Sequence, residues 1–332
     1  MTTITHLVLF GSPSTGSSLS ERLPTDVTTG DDIVAYRRAG EATRLTAEEF
    51  AARFGLSSRV LDIDGTPVTA LRASASETSG RVVFLHGGGL IAGTRTDGLD
   101  VVARHAADLV LEVWSVEYPL APEHSFDDMV AAALRVLSAA GADATRVLIA
   151  GQSAGGAVAA ASALASRQTG VRIDGQLLIC PMLSRRPTAS KRQHADDPSW
   201  SARSNATGWD VALAGSRMLP PGERDDLSGL PPTYLDSGSA ELFRDDIVAF
   251  ASALWVHGVS TELHVWSGDS TRSTGWSRRR SSPWRRTELA ASGSGAGSTA
   301  SSERPRRRSS RPGAGANRRA PRGCRLTALR AA

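Results

Sequence analysis

The chain has 332 residues, enough for one large core or two smaller ones, and an ordinary hydrophobic fraction of 40 %. No apolar run approaches the roughly 20 residues that a membrane-spanning helix requires, so no membrane partner is expected. The net charge of +4 hides an asymmetry. Residues 267–332 hold 16 Arg against Asp269, Glu288 and Glu303, which leaves 22 basic and 31 acidic residues in 1–266. An acidic body of this kind gives no reason to expect a nucleic-acid partner, and only the Arg-rich tail offers one as a weaker alternative.

Residues 1–30, rich in Ser, Thr, Gly and Pro, read as a loose leader, and the start lacks the pattern of a secretion signal, so a cytoplasmic location is expected. Asp31 to Phe54 reads as helical, with Thr46 and Glu49 spaced as a capping box. Asp64-Gly65 between two alternating runs predicts a hairpin over Arg59 to Leu71. Arg81 to Leu85 is a continuous apolar run, as expected of a strand buried on both faces. It ends in His86-Gly87-Gly88-Gly89. A helix over Asp100–Asp108, a strand over Leu109–Val116 and a helix over Phe126–Ala140 follow, separated by a Pro-rich turn at Glu117 to His124. Val147 to Ala150 predicts the next strand, then a helix to Arg167, then a strand over Val171 to Cys180. Residues 184–228 are polar, hold Trp200 and Trp209, and read as an inserted helical segment. A strand with its approach over Leu230–Gly238, a helix over Phe243–Val256 and a strand over Val259–Trp266 complete the body. Alternating strands and helices over this length predict an α/β class with a mostly parallel sheet and helices on both faces.

Two motifs carry chemistry. Gly151-Gln152-Ser153-Ala154-Gly155 joins a strand to a small-residue helix, the context a nucleophile elbow requires. Gly151 and Gly155 are expected to be glycine because a Cβ there would strike neighbouring backbone. The Gly87 and Gly88 amides, with that of Ala154, are candidate oxyanion donors, with His86 and Gly89 as support. Cys180, inside an apolar run, reads as a core thiol, with Cys324 far away in sequence. Nothing in the spacing calls for a metal or an organic cofactor.

His86-Gly87-Gly88-Gly89, Tyr118-Pro119-Leu120-Ala121-Pro122-Glu123-His124 and Gly151 to Gly156 stand in the order of the hormone-sensitive-lipase-like α/β-hydrolases, which residues 31–268 resemble. Trp200, Asn205, Gly208 and Trp209 also match the W-x4-N-x2-G-W spacing of bacterial members. The resemblance implies an α/β-hydrolase fold with a small helical cap, here about 31–54 and 184–228. It implies hydrolysis of small-molecule carboxylic esters by Ser, an acid and His. The acid is expected after the strand that follows the cap, where Glu241 is the choice. Asp236 is a weaker rival, and Asp245 and Asp246 serve the next helix.

The family's histidine follows the last strand, and no histidine follows His264 here. His264 lies inside that strand, and His257 ends the preceding helix. From residue 269 the chain becomes a basic Arg/Ser/Gly-rich tail without apolar periodicity, expected to be disordered. If its Ser and Arg codons are TCN and CGN, reading the same nucleotides one frame over allows His across Ser270 and Thr271. The pattern then accommodates Phe-His-Ala-Phe-Asp, so a frameshift near Gly268–Asp269 is the expectation. As written, the chain would be an impaired esterase. The alternative is a non-catalytic ligand-binding protein on the same fold, as in the gibberellin receptors.

Overall fold

The computed structural model describes residues 26–41, 44–73, 78 and 80–267. The chain divides into two units, residues 1–280 and 281–332, and all described residues belong to the first.

In chain order the elements are α1 (Gly30–Glu41), α2 (Ala47–Arg53), β1 (Leu56–Ile63), β2 (Thr66–Ala73), β3 (Gly80–Leu85), α3 (Asp100–Leu109), β4 (Leu111–Val116) and α4 (Phe126–Ala140). Then come β5 (Val147–Gln152), α5 (Ala154–Thr169), β6 (Gly175–Ile179), α6 (Ala189–Gln193), α7 (Ala202–Leu213), β7 (Thr233–Gly238), α8 (Arg244–Val256) and β8 (Thr261–Trp266). The strands form one eight-stranded sheet, ordered β1-β2-β4-β3-β5-β6-β7-β8. The pairs β1–β2 and β2–β4 are antiparallel; the other five are parallel.

The hairpin closes as predicted. Asp64 (φ 49°) and Gly65 (φ 78°) both take positive φ, the geometry of a two-residue turn that follows strand twist. Thr46 and Glu49 form a reciprocal capping box at α2, and Ser125 and Asp128 form another at α4. Between the two caps lies β3, whose six residues are all buried. Its side chains split by parity. Val83 and Leu85 pack with α4 and α5, whereas Val82 and Phe84 face the layer containing α3. The central α5 is built of small residues, and Ala154 to Leu164 are buried without a break, so neighbouring backbone approaches closely.

Two findings revise the reading of the N-terminal region. Residues 26–30 are tied down: Val27 is buried, its amide donates to Ser204 Oγ (2.9 Å), and Asp26 pairs with Arg203 (2.6 Å). The helical stretch also breaks into α1 and α2, which go to different places. Tyr36 of α1 packs against Trp200 (5.8 Å between ring centroids). Phe50 and Ala51 of α2 instead join Leu56, Leu71 and α3 on the other face of the sheet. The inserted segment 184–228 holds α6, α7 and a 3-10 turn at Pro221–Glu223. The basic tail from 269 lies outside the described residues.

Candidate active site

Ser153 sits between β5 and α5 with φ 53° and ψ −117°, a conformation that costs a non-glycine residue about 1–3 kcal/mol. The surrounding bonds over-determine it. Its amide donates to Ile179 O (2.9 Å), and its carbonyl accepts from Gly156 N (3.0 Å) and Met182 N (2.9 Å). The flanking glycines are sterically required. A Cβ at Gly151 would stand 2.2 Å from Gly155 O, and one at Gly155 would stand 2.1 Å from Leu85 O. The half-buried Ser153 side chain is thus presented at the carboxyl end of the parallel sheet, where open α/β sheets place their sites.

The glycine loop after β3 lies against it. A Cβ built on Gly87 would be 3.5 Å from Ser153 Cβ. Gly88 (φ 123°), Gly89 (φ 64°) and Leu90 (φ 70°) then follow in positive φ. Next to Ser153, Ala154 N–H is the first amide of α5 and has no acceptor within that helix. The inserted segment packs against the outer end of the loop. Trp200 would be 2.0 Å from a Cβ on Gly89, and Gly89 O would be 2.4 Å from a Cβ on Gly208.

His86 anchors this loop from below. It is fully buried and stacks on Tyr118 (4.2 Å between ring centroids). Its Nδ1–H, assigned from the neighbouring carbonyl, donates to Gly87 O (2.7 Å), and Tyr118 OH donates to His86 O (2.7 Å). Burial holds the His86 pKa below the usual imidazole value and pushes the Tyr118 phenol up. The imidazole is therefore neutral.

Glu241, in the turn between β7 and α8, is fully buried and accepts from Ser237 Oγ (2.6 Å). Asp236 is committed elsewhere: Oδ1 accepts from Cys180 N (3.0 Å), and Oδ2 from Trp266 Nε1 (3.2 Å). Burial raises its pKa, and also that of the Cys180 thiol, which the Glu241 and Asp236 charges push up further. Asp245 and Asp246 lie in the first turn of α8 but also bind α6. Asp245 Oδ2 accepts from Ser190 N (2.7 Å), and Asp246 Oδ2 lies 2.6 Å from Lys191 Nζ.

Among the described residues, no histidine bonds to Ser153. The β5–β6–β7–β8 register sets His264 level with Gln152, three strands away, or roughly 14 Å across the sheet. Its ring stacks between Tyr234 and Trp266, and Nε2 meets Glu262 Oε1 (2.5 Å). His257 caps the carboxyl end of α8, ahead of β8, with Nδ1 on Ala253 O (2.8 Å). His124 is exposed in the turn before α4. Nor does any group of three or more His, Cys, Asp or Glu among the described residues form a metal site.

Sequence reasoning missed Arg37 of α1. Its Nε donates to Ile91 O (2.6 Å), just past the glycine loop, and its Nη atoms reach Ala121 O and Glu123. No local spacing announces a contact spanning 54 to 86 residues.

The chain is similar to known proteins in sequence and fold. The profile of the alpha/beta hydrolase fold family matches residues 82–270. Carboxylesterase NlhH of Mycobacterium tuberculosis is 33% identical over 258 residues, covering 71% of this chain and 80% of that protein. The crystal structure of esterase LipW from Mycobacterium marinum superposes with a TM-score of 0.68 at 29% identity, covering 79% of this chain and 89% of that one. A bacterial heroin esterase gives a TM-score of 0.66, also at 29% identity, with 79% and 90% covered.

Proposed function

The chain belongs to the α/β-hydrolase fold family and is by that kinship a carboxylic ester hydrolase, and on that basis we propose that Ser153 is its nucleophile, in a site that lacks its base. The observation that carries this reading is the strained Ser153 elbow set against Gly87, with the first amide of α5 beside it. In the reaction the site is built for, Ser153 Oγ attacks the carbonyl carbon of a small or medium acyl ester. The carbonyl oxygen becomes an oxyanion held by the Gly87, Gly88 and Ala154 amides, donors worth about 2.7–4 kcal/mol each in such sites. The alcohol leaves, and water releases the acid from Ser153. Glu241 is the carboxylate that would orient a histidine and stabilise its cation. Residues of α1 and 184–228 form the cap over the glycine loop.

Both proton transfers need a base that the chain does not carry after β8. The family match ends at residue 270, where the composition changes. This coincidence supports a reading frame shifted near 268–269, and a nucleotide sequence with no His codon across Ser270 and Thr271 in the alternative frame would refute that part. Losing the base costs about 10^4- to 10^6-fold in turnover. With p-nitrophenyl acetate or butyrate as substrate, the chain is expected to stay within about tenfold of its Ser153→Ala variant. Ser153-dependent turnover at ordinary esterase rates, about 10 per second, would overturn the proposal.

A further inference from the structure

We propose that Arg37, on α1, is the positioning residue of the oxyanion loop, holding Gly87 and Gly88 in place through one guanidinium shared by three chain segments. The inference rests on the proposed role of that loop. Gly88, Gly89 and Leu90 are consecutive residues in positive φ, and Leu90 has a side chain that opposes it. Such a loop keeps its shape only when its surroundings over-determine it. Its own bonds are few: Ile91 N and Ala92 N donate to Gly88 O (3.1 and 2.9 Å). The outer end is held from outside, by Ala121 N on Leu90 O (3.0 Å) and by Arg37 Nε on Ile91 O (2.6 Å).

Arg37 then ties the second anchor to the first. Nη2 donates to Ala121 O (2.8 Å) and Glu123 Oε2 (2.7 Å), and Nη1 donates to Glu123 Oε1 (2.8 Å). All three guanidinium nitrogens are used, and the planar fork fixes their relative directions. A lysine ammonium, with its donors at one point, cannot span Ile91, Ala121 and both carboxylate oxygens. Glu123 orients the fork, so α1, the glycine loop and the 118–124 turn form one unit.

Donors aimed at an oxyanion act in the transition state and not on the bound ester. Unpinning the loop therefore lowers kcat and leaves KM unchanged. A base-less triad retains a residual rate over water that comes from the oxyanion hole and binding. That residual hydrolysis of p-nitrophenyl acetate by the full chain is the readout. Arg37→Gln and Arg37→Lys are expected to lower its kcat about 10- to 100-fold, with KM within about twofold, because misplacement by about 1 Å costs on this scale. Glu123→Gln, which keeps both carbonyl bonds, loses less. A folded Arg37→Gln variant with kcat within about twofold of the parent overturns the inference. A parent no faster than buffer sinks the esterase reading instead. Amide hydrogen exchange then decides the Arg37 role by itself. Residues 87–91 are expected to exchange at least about tenfold faster in Arg37→Lys, with β5 unchanged, and equal exchange overturns the positioning role.

Discussion

Replacing Lys191 by methionine tests whether the inserted segment and the acid-bearing turn are one mechanical unit. Lys191 is the chain's only lysine, and its side chain and that of Asp246 are 6% and 5% exposed. Its ammonium lies 2.6 Å from Asp246 Oδ2 and donates to Ser184 O (2.7 Å) and Arg186 O (2.8 Å). One residue back, Ser190 Oγ donates to Leu242 O (2.8 Å), the neighbour of Glu241. Burial pushes the Asp246 carboxyl up to about 6 even with Lys191 beside it, and Asp245 and Glu223 push in the same direction. Lys191→Met strands the carboxylate and two carbonyls, so the loss at pH 7.5 is about 3–5 kcal/mol. Because the folded-state value is raised above the ordinary aspartate value of 3.8, the stability owed to a protonated Asp246 is present below about 3.8. It is lost as pH rises through about 6. At pH 5 Asp246 takes up a proton, and the loss falls to about 1–2 kcal/mol, the carbonyl share. Lys191→Met/Asp246→Leu recovers most of the difference at pH 7.5, since an apolar pair of similar volume replaces a buried ion pair at little cost. Urea unfolding at the two pH values measures all three. Equal losses at pH 5 and 7.5, or a double variant no better than the single one, would refute the reasoning.

Gly155→Ala forces a Cβ to 2.1 Å from Leu85 O, so it destabilises by about 1–3 kcal/mol or more, whereas Gly30→Ala meets nothing within 4 Å and is neutral to mildly stabilising. Thermal melts of the pair separate the two, and equal midpoints contradict the steric account. Tyr118→Phe leaves His86 O without its 2.7 Å donor and costs about 1–2 kcal/mol by urea titration; a loss below about 0.3 kcal/mol shows that the bond carries nothing. Arg37 holds the Glu123 carboxyl down at about 2, so that pair's contribution is present above about 4.5 and fades as pH falls toward 2. Glu123 is 55% exposed, and screening keeps the effect small, below about 1 kcal/mol. An acid titration in which Glu123→Gln trails the parent at pH 6 and converges on it as pH falls toward 2 agrees with this order, and a gap that stays open on acidification contradicts it.

The parts legible in the sequence were those with local causes. The Ser153 elbow, the glycine loop, the Asp64-Gly65 turn and the two-strand-face pattern of Val82 to Leu85 each follow from a few adjacent residues. The helix over Phe126–Ala140 was visible because Met129, Ala132, Ala133, Val136 and Leu137 repeat at helical spacing, and all five are buried. The misreadings were long-range. Nothing near Val27 reveals that Ser204, 177 residues on, accepts its amide. Phe50 joins the α3 layer, and local composition carries no sign of it. Arg37 spends its donors on carbonyls 54 and 84 residues away, and Lys191 meets Asp246, 55 residues on, with no local sign of either partner.

The central claim is that an esterase site stands assembled around Ser153 without its base. The most direct measurement is p-nitrophenyl butyrate turnover by this chain beside a version whose codons from 269 onward are read in the frame that places a histidine across Ser270 and Thr271. A gain of about 10^4-fold or more, abolished by Ser153→Ala, is expected. Equal turnover by the two chains would contradict it.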